Sequence, residues 1–232
     1  MAVITISRQY GSGGDEIAKQ VCRILGYQYF DKRLMAEVAT EVGLSAGEIV
    51  DFSEDQHKSR GFLERLFGVS RPVTTTRVWT ENVAGTRGVE ELHLDEAQSI
   101  SLVQSTIRAA YAHGNLVILG RGGQVVLKAM PDVLHVRIVA SLEARLRRVQ
   151  EWQQIGPEAA QRIIAERDAG AEDYLRRFYG VNWADPLLYD LMLNTGKWDT
   201  ETAAHLIVNA LNYLPFPAVA SSQEDAGVVA RE

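Results

Sequence analysis

The stretch ISRQYGSGGDE, residues 6–16, sets an arginine, three glycines, two serines and two acidic residues at the end of a short apolar run. A glycine turn leading from a strand into a helix can hold phosphate. Backbone N–H groups converge there, and the helix dipole favours an anion. Gly11, Gly13 and Gly14 would let the backbone come close to a ligand, with Ser12 between them. The lysine-bearing formula G-x-x-x-x-G-K-[ST] is nonetheless not met. With Gly13 as its second glycine, the first glycine position holds Arg8, the lysine position Gly14 and the hydroxyl position Asp15. The dinucleotide formula G-x-G-x-x-G fails as well, because position 16 is Glu16. Taken alone, the segment fits a phosphate loop and a ligand-free turn equally.

Other residues able to handle anions follow downstream. GRGG (120–123) places Arg121 between glycines after an apolar run. A guanidinium suits phosphate because its planar fork binds oxygens in pairs. ERD (166–168) offers Arg167 and Asp168, and Arg176 and Arg177 come later in the same helical pattern. Asp31, Lys32 and Arg33 follow the second apolar run. Arg145, Arg147 and Arg148 read as a solvated helix face. The histidines are scattered and read as structural or surface groups. No cluster has metal-ligand spacing, and no Ser–His pair stands out.

These residues need elements to hold them. AVITIS (2–7), YQYF (27–30), NLVILG (115–120), DVLHVRIVA (132–140) and LYDLMLNT (188–195) read as strands. Helical spacing covers the stretch from Ile17 to Leu25, with Gly26 as a stop, then about 32–42, 95–113, 142–153, 157–178 and 199–213. Alternating apolar strands and helices predict an α/β fold, three-layer α/β/α with a mostly parallel sheet. Ligands in such sheets sit beyond the carboxyl ends of the strands. Residues 51–92 break the pattern, mix acidic and basic residues, and read as an inserted, mobile lobe with short helices, for example around GFLERLFG, and turns such as TTTR. From Pro215 the period is lost, which predicts a disordered tail over 215–232.

The 232 residues suit one domain, and 46% hydrophobic residues allow a sizeable core. A net charge of −6 argues against a protein that coats nucleic acid. One cysteine, Cys22, rules out an intrachain disulfide framework. The start has no basic, apolar leader and no run suits a membrane span, so the expected location is the cytoplasm.

Together, ITISRQYGSGGDEIAKQVCRILGYQYFDKRLM, VILGRGGQVVL, ERD and WADPLLYDLMLNT resemble the cytidylate kinase-like family, a branch of the P-loop nucleoside monophosphate kinases. The resemblance spans roughly residues 3–213. It implies a P-loop NTPase-like domain over 1–214, with an inserted helical substrate lobe at about 44–94 and a helical lid at about 155–182. It implies ATP with Mg²⁺ on Gly11, Ser12, Gly13, Gly14 and Asp15. Asp15 could touch Mg²⁺ or simply cap the helix. A nucleoside monophosphate or other small phosphorylated acceptor would lie near Asp31, Lys32, Arg33 and Arg121. Arg8, Arg121, Arg167 and Arg176 would carry charge for phosphoryl transfer. Arg8 would stand in for the lysine that Gly14 replaces. Positions that bind cytidine monophosphate in the family fall on Lys32 and Glu37, and two lid positions fall on Ala171 and Tyr174, so those matches fail. Asp168 could bind metal or orient an arginine. The alternative is a binding module that holds a nucleotide or anion and signals by lobe closure without turnover. The direction of Arg8 separates the two: over the glycine loop for a kinase, outward to an acidic partner for a module.

Overall fold

The computed structural model describes residues 2–30, 74–81, 87–94 and 96–214, with side chains over 2–30 and 100–214. Asp31, Lys32, Arg33, the helix expected at 32–42, the helix around GFLERLFG and the 215–232 tail lie outside the described residues.

Strand β1, Val3–Arg8, is built from β-branched residues and is buried along nearly its whole length, as an inner strand of a parallel sheet must be. It leads through the glycine turn into α1, Gly14–Leu25, which buries Ile17, Ala18, Val21 and Cys22. Gly26 ends α1 in the left-handed conformation at φ 67°, and the Tyr27 N–H closes the cap on the Cys22 carbonyl at 2.9 Å. Strand β2 is Gln28–Phe30.

The next described segment departs from expectation. Strands β3, Thr74–Glu81, and β4, Arg87–Leu94, pair antiparallel, with Thr74 opposite Leu94 and Glu81 opposite Arg87. The TTTR stretch read as a turn in a lobe of short helices. It is extended because threonine and valine, branched at Cβ, favour a pleated surface.

Helix α2, Glu96–His113, precedes β5, Leu116–Leu119, and the single-turn α3, Gly123–Val126. Strand β6, Val133–Val139, precedes α4, Leu142–Gln153, and α5, Pro157–Tyr179. Strand β7, Leu191–Asn194, and α6, Thr200–Leu211, close the chain. Pro157 at the start of α5 and Gly180 at its end mark the boundaries that helix chemistry prefers.

The five strands of the main sheet are all parallel, in the order β2-β5-β1-β6-β7. Chain order reverses direction around β1, between β5 and β6. The carboxyl ends of these three strands therefore border the crevice where such sheets bind ligands. One face packs Ile4, Ile6, Val136 and Ile138 against α1 and α6. The other packs Val3, Phe30, Leu116 and Ile118 against α2.

That second face is not wholly apolar. Thr5, Ser7, His135 and Arg137 are all buried. Thr5 Oγ1 lies 2.7 Å from His135 Nδ1, and Trp183 Nε1 donates to Ser7 Oγ at 2.8 Å. Arg137, 3% exposed, donates to the Trp183 carbonyl at 2.6 Å and the Tyr189 hydroxyl at 3.0 Å. Its guanidinium also lies 4.2 Å from the Trp183 ring centre and 5.3 Å from that of Tyr189. Trp183 and Tyr189 thus form a cage for a buried cation.

Candidate phosphate-binding site

The turn after β1 is shaped by two left-handed glycines, Gly11 at φ 77° and Gly13 at φ 83°. Most side chains avoid this conformation at a cost of about 1–2 kcal/mol. Gly13 is the N-cap of α1, and no side chain caps the helix. The first-turn N–H groups of α1 have no intrahelical acceptor, so they are suited to an anion. Of the two roles open to Asp15, a contact to Mg²⁺ or a helix cap, its side chain does not take the cap. It lies instead in the first turn, its side chain 55% exposed and paired with Arg8.

Arg8 crosses the loop. A Cβ built on Gly14 would lie 2.6 Å from Arg8 Cβ and 2.8 Å from Arg8 Cγ. The Arg8 stem thus occupies the space a side chain at position 14 would need. Arg8 Nε faces Asp15 Oδ2 at 3.5 Å, with the Arg8 side chain only 17% exposed. The acidic partner is in the first turn of α1, directly after the loop. Arg8, Asp15, Tyr10, Arg167, Asp168 and Ala171 line one small cleft. Arg167 also lies 5.7 Å from the Tyr10 ring centre.

Several residues brought to the loop were not singled out by sequence. Arg145, 8% exposed, was read as solvated but donates to Asp168 Oδ2 at 2.5 Å and to the Tyr10 carbonyl at 3.3 Å. Arg148 donates to Thr195 Oγ1 at 3.0 Å and to the Thr195 carbonyl at 2.6 Å. Thr195 Oγ1 in turn donates to the Ser12 carbonyl at 2.7 Å. Only Arg147 of that trio is exposed as expected. The available signal was Val149, an apolar residue one helical turn from Arg145, which marks that face of α4 as inward.

Arg121 sits in an unusual turn. Gly120, Arg121 and Gly122 are successively left-handed, at φ 69°, 59° and 73°. Arg121 donates to the Phe30 carbonyl at 3.1 Å and lies 5.9 Å from the Phe30 ring centre. It therefore holds the end of β2, just before Asp31. Tyr29, half-buried on β2, has its phenol pushed up to about 12, first by burial and next by Asp15, while Arg8 and Arg121 pull it down.

The remaining candidates fall apart from this group. Arg176 pairs with Asp173 of its own helix at 2.5 Å, its side chain 69% exposed. At about 1.5 Å per residue it lies roughly 13 Å beyond Arg167 along α5, so the structure does not gather it with Arg8. Ala171 and Tyr174 are core residues, at 4% and 0% exposure. Asp168 has both oxygens engaged, Oδ1 by the Tyr10 N–H at 2.9 Å and Oδ2 by Arg145. Its two oxygens thus join the Tyr10 backbone to Arg145. Cys22 packs in the core, and burial pushes its thiol up to about 11. Among the described residues, no group of three or more His, Cys, Asp or Glu could hold a metal, and no helix is long and apolar enough to cross a membrane.

Five parallel strands, a glycine loop between the first strand and helix, and arginines closing on that loop define a P-loop kinase-like α/β domain. The cytidylate kinase-like family model matches residues 3–197, and the chain belongs to that family. A cytidylate kinase of Methanopyrus kandleri is 24% identical over 221 residues, covering 91% of this chain and 94% of that protein. The cytidylate kinase of Methanocaldococcus jannaschii is 31% identical over 104 residues, covering 44% of this chain and 58% of that protein. A crystal structure of a protein from Eubacterium ventriosum superposes with a TM-score of 0.61 at 18% identity, over 92% of this chain and 99% of that one.

Proposed function

We propose that the protein is a nucleotide-dependent phosphotransferase that moves the γ-phosphoryl group of ATP to a nucleoside monophosphate or another small phosphorylated acceptor. The observation that carries this reading is the path of Arg8 over Gly14. The lysine-bearing formula has glycine at the position of Arg8 and lysine at that of Gly14. Here cation and glycine have exchanged places, and the stem of the one fills the space of the other. The loop keeps a positive charge by a different route.

ATP phosphates would rest on residues 11–15, against the first turn of α1. Arg8 and Arg167 would stabilise the transferred group, whose charge spreads over its oxygens. Mg²⁺, when bound with the nucleotide, supplies further charge neutralisation. Asp15, a largely exposed carboxylate beside Arg8, fits as its protein contact, since Mg²⁺ commonly uses one or two carboxylates together with substrate phosphates. The acceptor would lie toward Arg121, Asp31, Lys32 and Arg33, at the carboxyl ends of β2 and β5. Its phosphate is already anionic, so no general base is required, and catalysis is mostly positioning and charge neutralisation.

One observation favours the binding module. Two of the three lid positions are the uncharged core residues Ala171 and Tyr174. A coupled ADP-release assay with Mg-ATP and a panel of nucleoside monophosphates, beside calorimetry with ATP, decides the matter. ADP release above the acceptor-free background supports the kinase. ATP binding without ADP release for any acceptor leaves the module, and absence of nucleotide binding removes both.

A further inference from the structure

Tyr10 is held at every point by the two helices that follow β6. Its N–H donates to Asp168 Oδ1 at 2.9 Å, and its carbonyl accepts from Arg145 Nη1 at 3.3 Å. Its hydroxyl accepts from Gln153 Nε2 at 2.7 Å, and its ring packs with Val149, Ala160 and Ile164. Asp168 is the common partner, because its second oxygen binds Arg145. Next to it in sequence, Arg167 lies over the Tyr10 ring.

We infer that Asp168 is a positioning residue: it ties the lid helix α5 to the phosphate loop, so that Arg167 is set over the loop before nucleotide arrives. The inference rests on the phosphotransferase reading. It also predicts that the near half of α5 does not swing as a lid. Removing Asp168 frees the Tyr10 N–H and strands a buried guanidinium. The loop and Arg167 then lose their common reference.

The test compares wild type with Asp168→Ala and Asp168→Asn by ADP-release kinetics and by hydrogen exchange of residues 9–13 and 157–168 without nucleotide. Asp168→Ala is expected to lower kcat about ten- to a hundred-fold, the scale of a small misplacement, with a smaller change in KM for Mg-ATP. Exchange in both segments should rise together. Asp168→Asn, which keeps an acceptor for Tyr10, should recover part of kcat. Unchanged exchange with kcat within two-fold of wild type overturns the inference. If Asp168→Ala does not fold, Arg145→Met combined with Asp168→Leu removes the acceptor for Tyr10 and both charges together while filling the space. That variant must show the same coupled rise in exchange, and wild-type exchange in it overturns the inference. If the wild type releases no ADP with any acceptor, the phosphotransferase reading fails, and the exchange arm alone decides the latch.

Discussion

Under the proposed function Arg8 and Gly14 would carry the chemistry as a pair, and their coupling gives the sharpest residue-level predictions. Arg8→Ala should reduce kcat about 10²–10³-fold in the ADP-release assay, as loss of one charge-stabilising donor typically does. Gly14→Lys should lower the melting temperature, because overpacking of this kind costs about 1–3 kcal/mol and the new Cβ meets Arg8 at 2.6 Å. Adding Arg8→Gly to Gly14→Lys should restore both stability and turnover. A double variant no better than Gly14→Lys would contradict the exchange. His135 gives a different residue-level test. Burial holds its imidazole below the usual 6.5, partly offset by Asp190. The unfolded chain therefore takes up a proton first on acidification. Stability from the neutral ring is present above about pH 6.5 and is lost as pH falls from there through the folded value. Melting temperatures from pH 8 to 5 should fall less steeply for His135→Gln than for wild type. Arg8 was legible in the sequence because a formula fixes which position should carry a cation. Arg145 and Arg148 were not, since spacing alone does not say whether a helix face meets water or a loop.

At the level of elements, the long helices among the described residues were legible through period and punctuation. Gly26, the Gly156-Pro157 pair and Gly180 stand at the observed boundaries of α1 and α5. The β3–β4 hairpin was missed because its polar threonines masked a β-branched run. The turn after β5 was recognised for its arginine, but its conformation was not. Three consecutive left-handed residues include Arg121, for which that conformation costs about 1–2 kcal/mol. Gly122 leaves no alternative, since an added Cβ would lie 2.6 Å from Tyr179 Cε2. Gly122→Ala should therefore combine strain with overpacking and cost about 2–4 kcal/mol. A urea titration should show a lower midpoint with an unchanged slope.

For the whole molecule, alternating strands and helices were enough to infer a parallel sheet and to look for ligands at its carboxyl edge. The buried polar layer of Thr5, Ser7, His135 and Arg137 was not inferred, because a polar side chain on an inner strand shows its partners only once the fold supplies them. Trp183 and Tyr189, remote in sequence, supply them for Ser7 and Arg137. The sheet order sets the carboxyl ends of β1, β5 and β6 side by side, and with them the glycine loop, the Arg121 turn and, through α4 and α5, Arg145, Arg148 and Arg167. Under the proposed function, the charge gathered there would hold phosphate groups near one another. The most direct measurement is transfer of a labelled γ-phosphoryl group from Mg-ATP to a panel of nucleoside monophosphates, with wild type and Arg8→Ala side by side. The account predicts label on at least one acceptor with wild type and a near-complete loss with Arg8→Ala. ATP binding with no label on any acceptor, or undiminished transfer by Arg8→Ala, would contradict it.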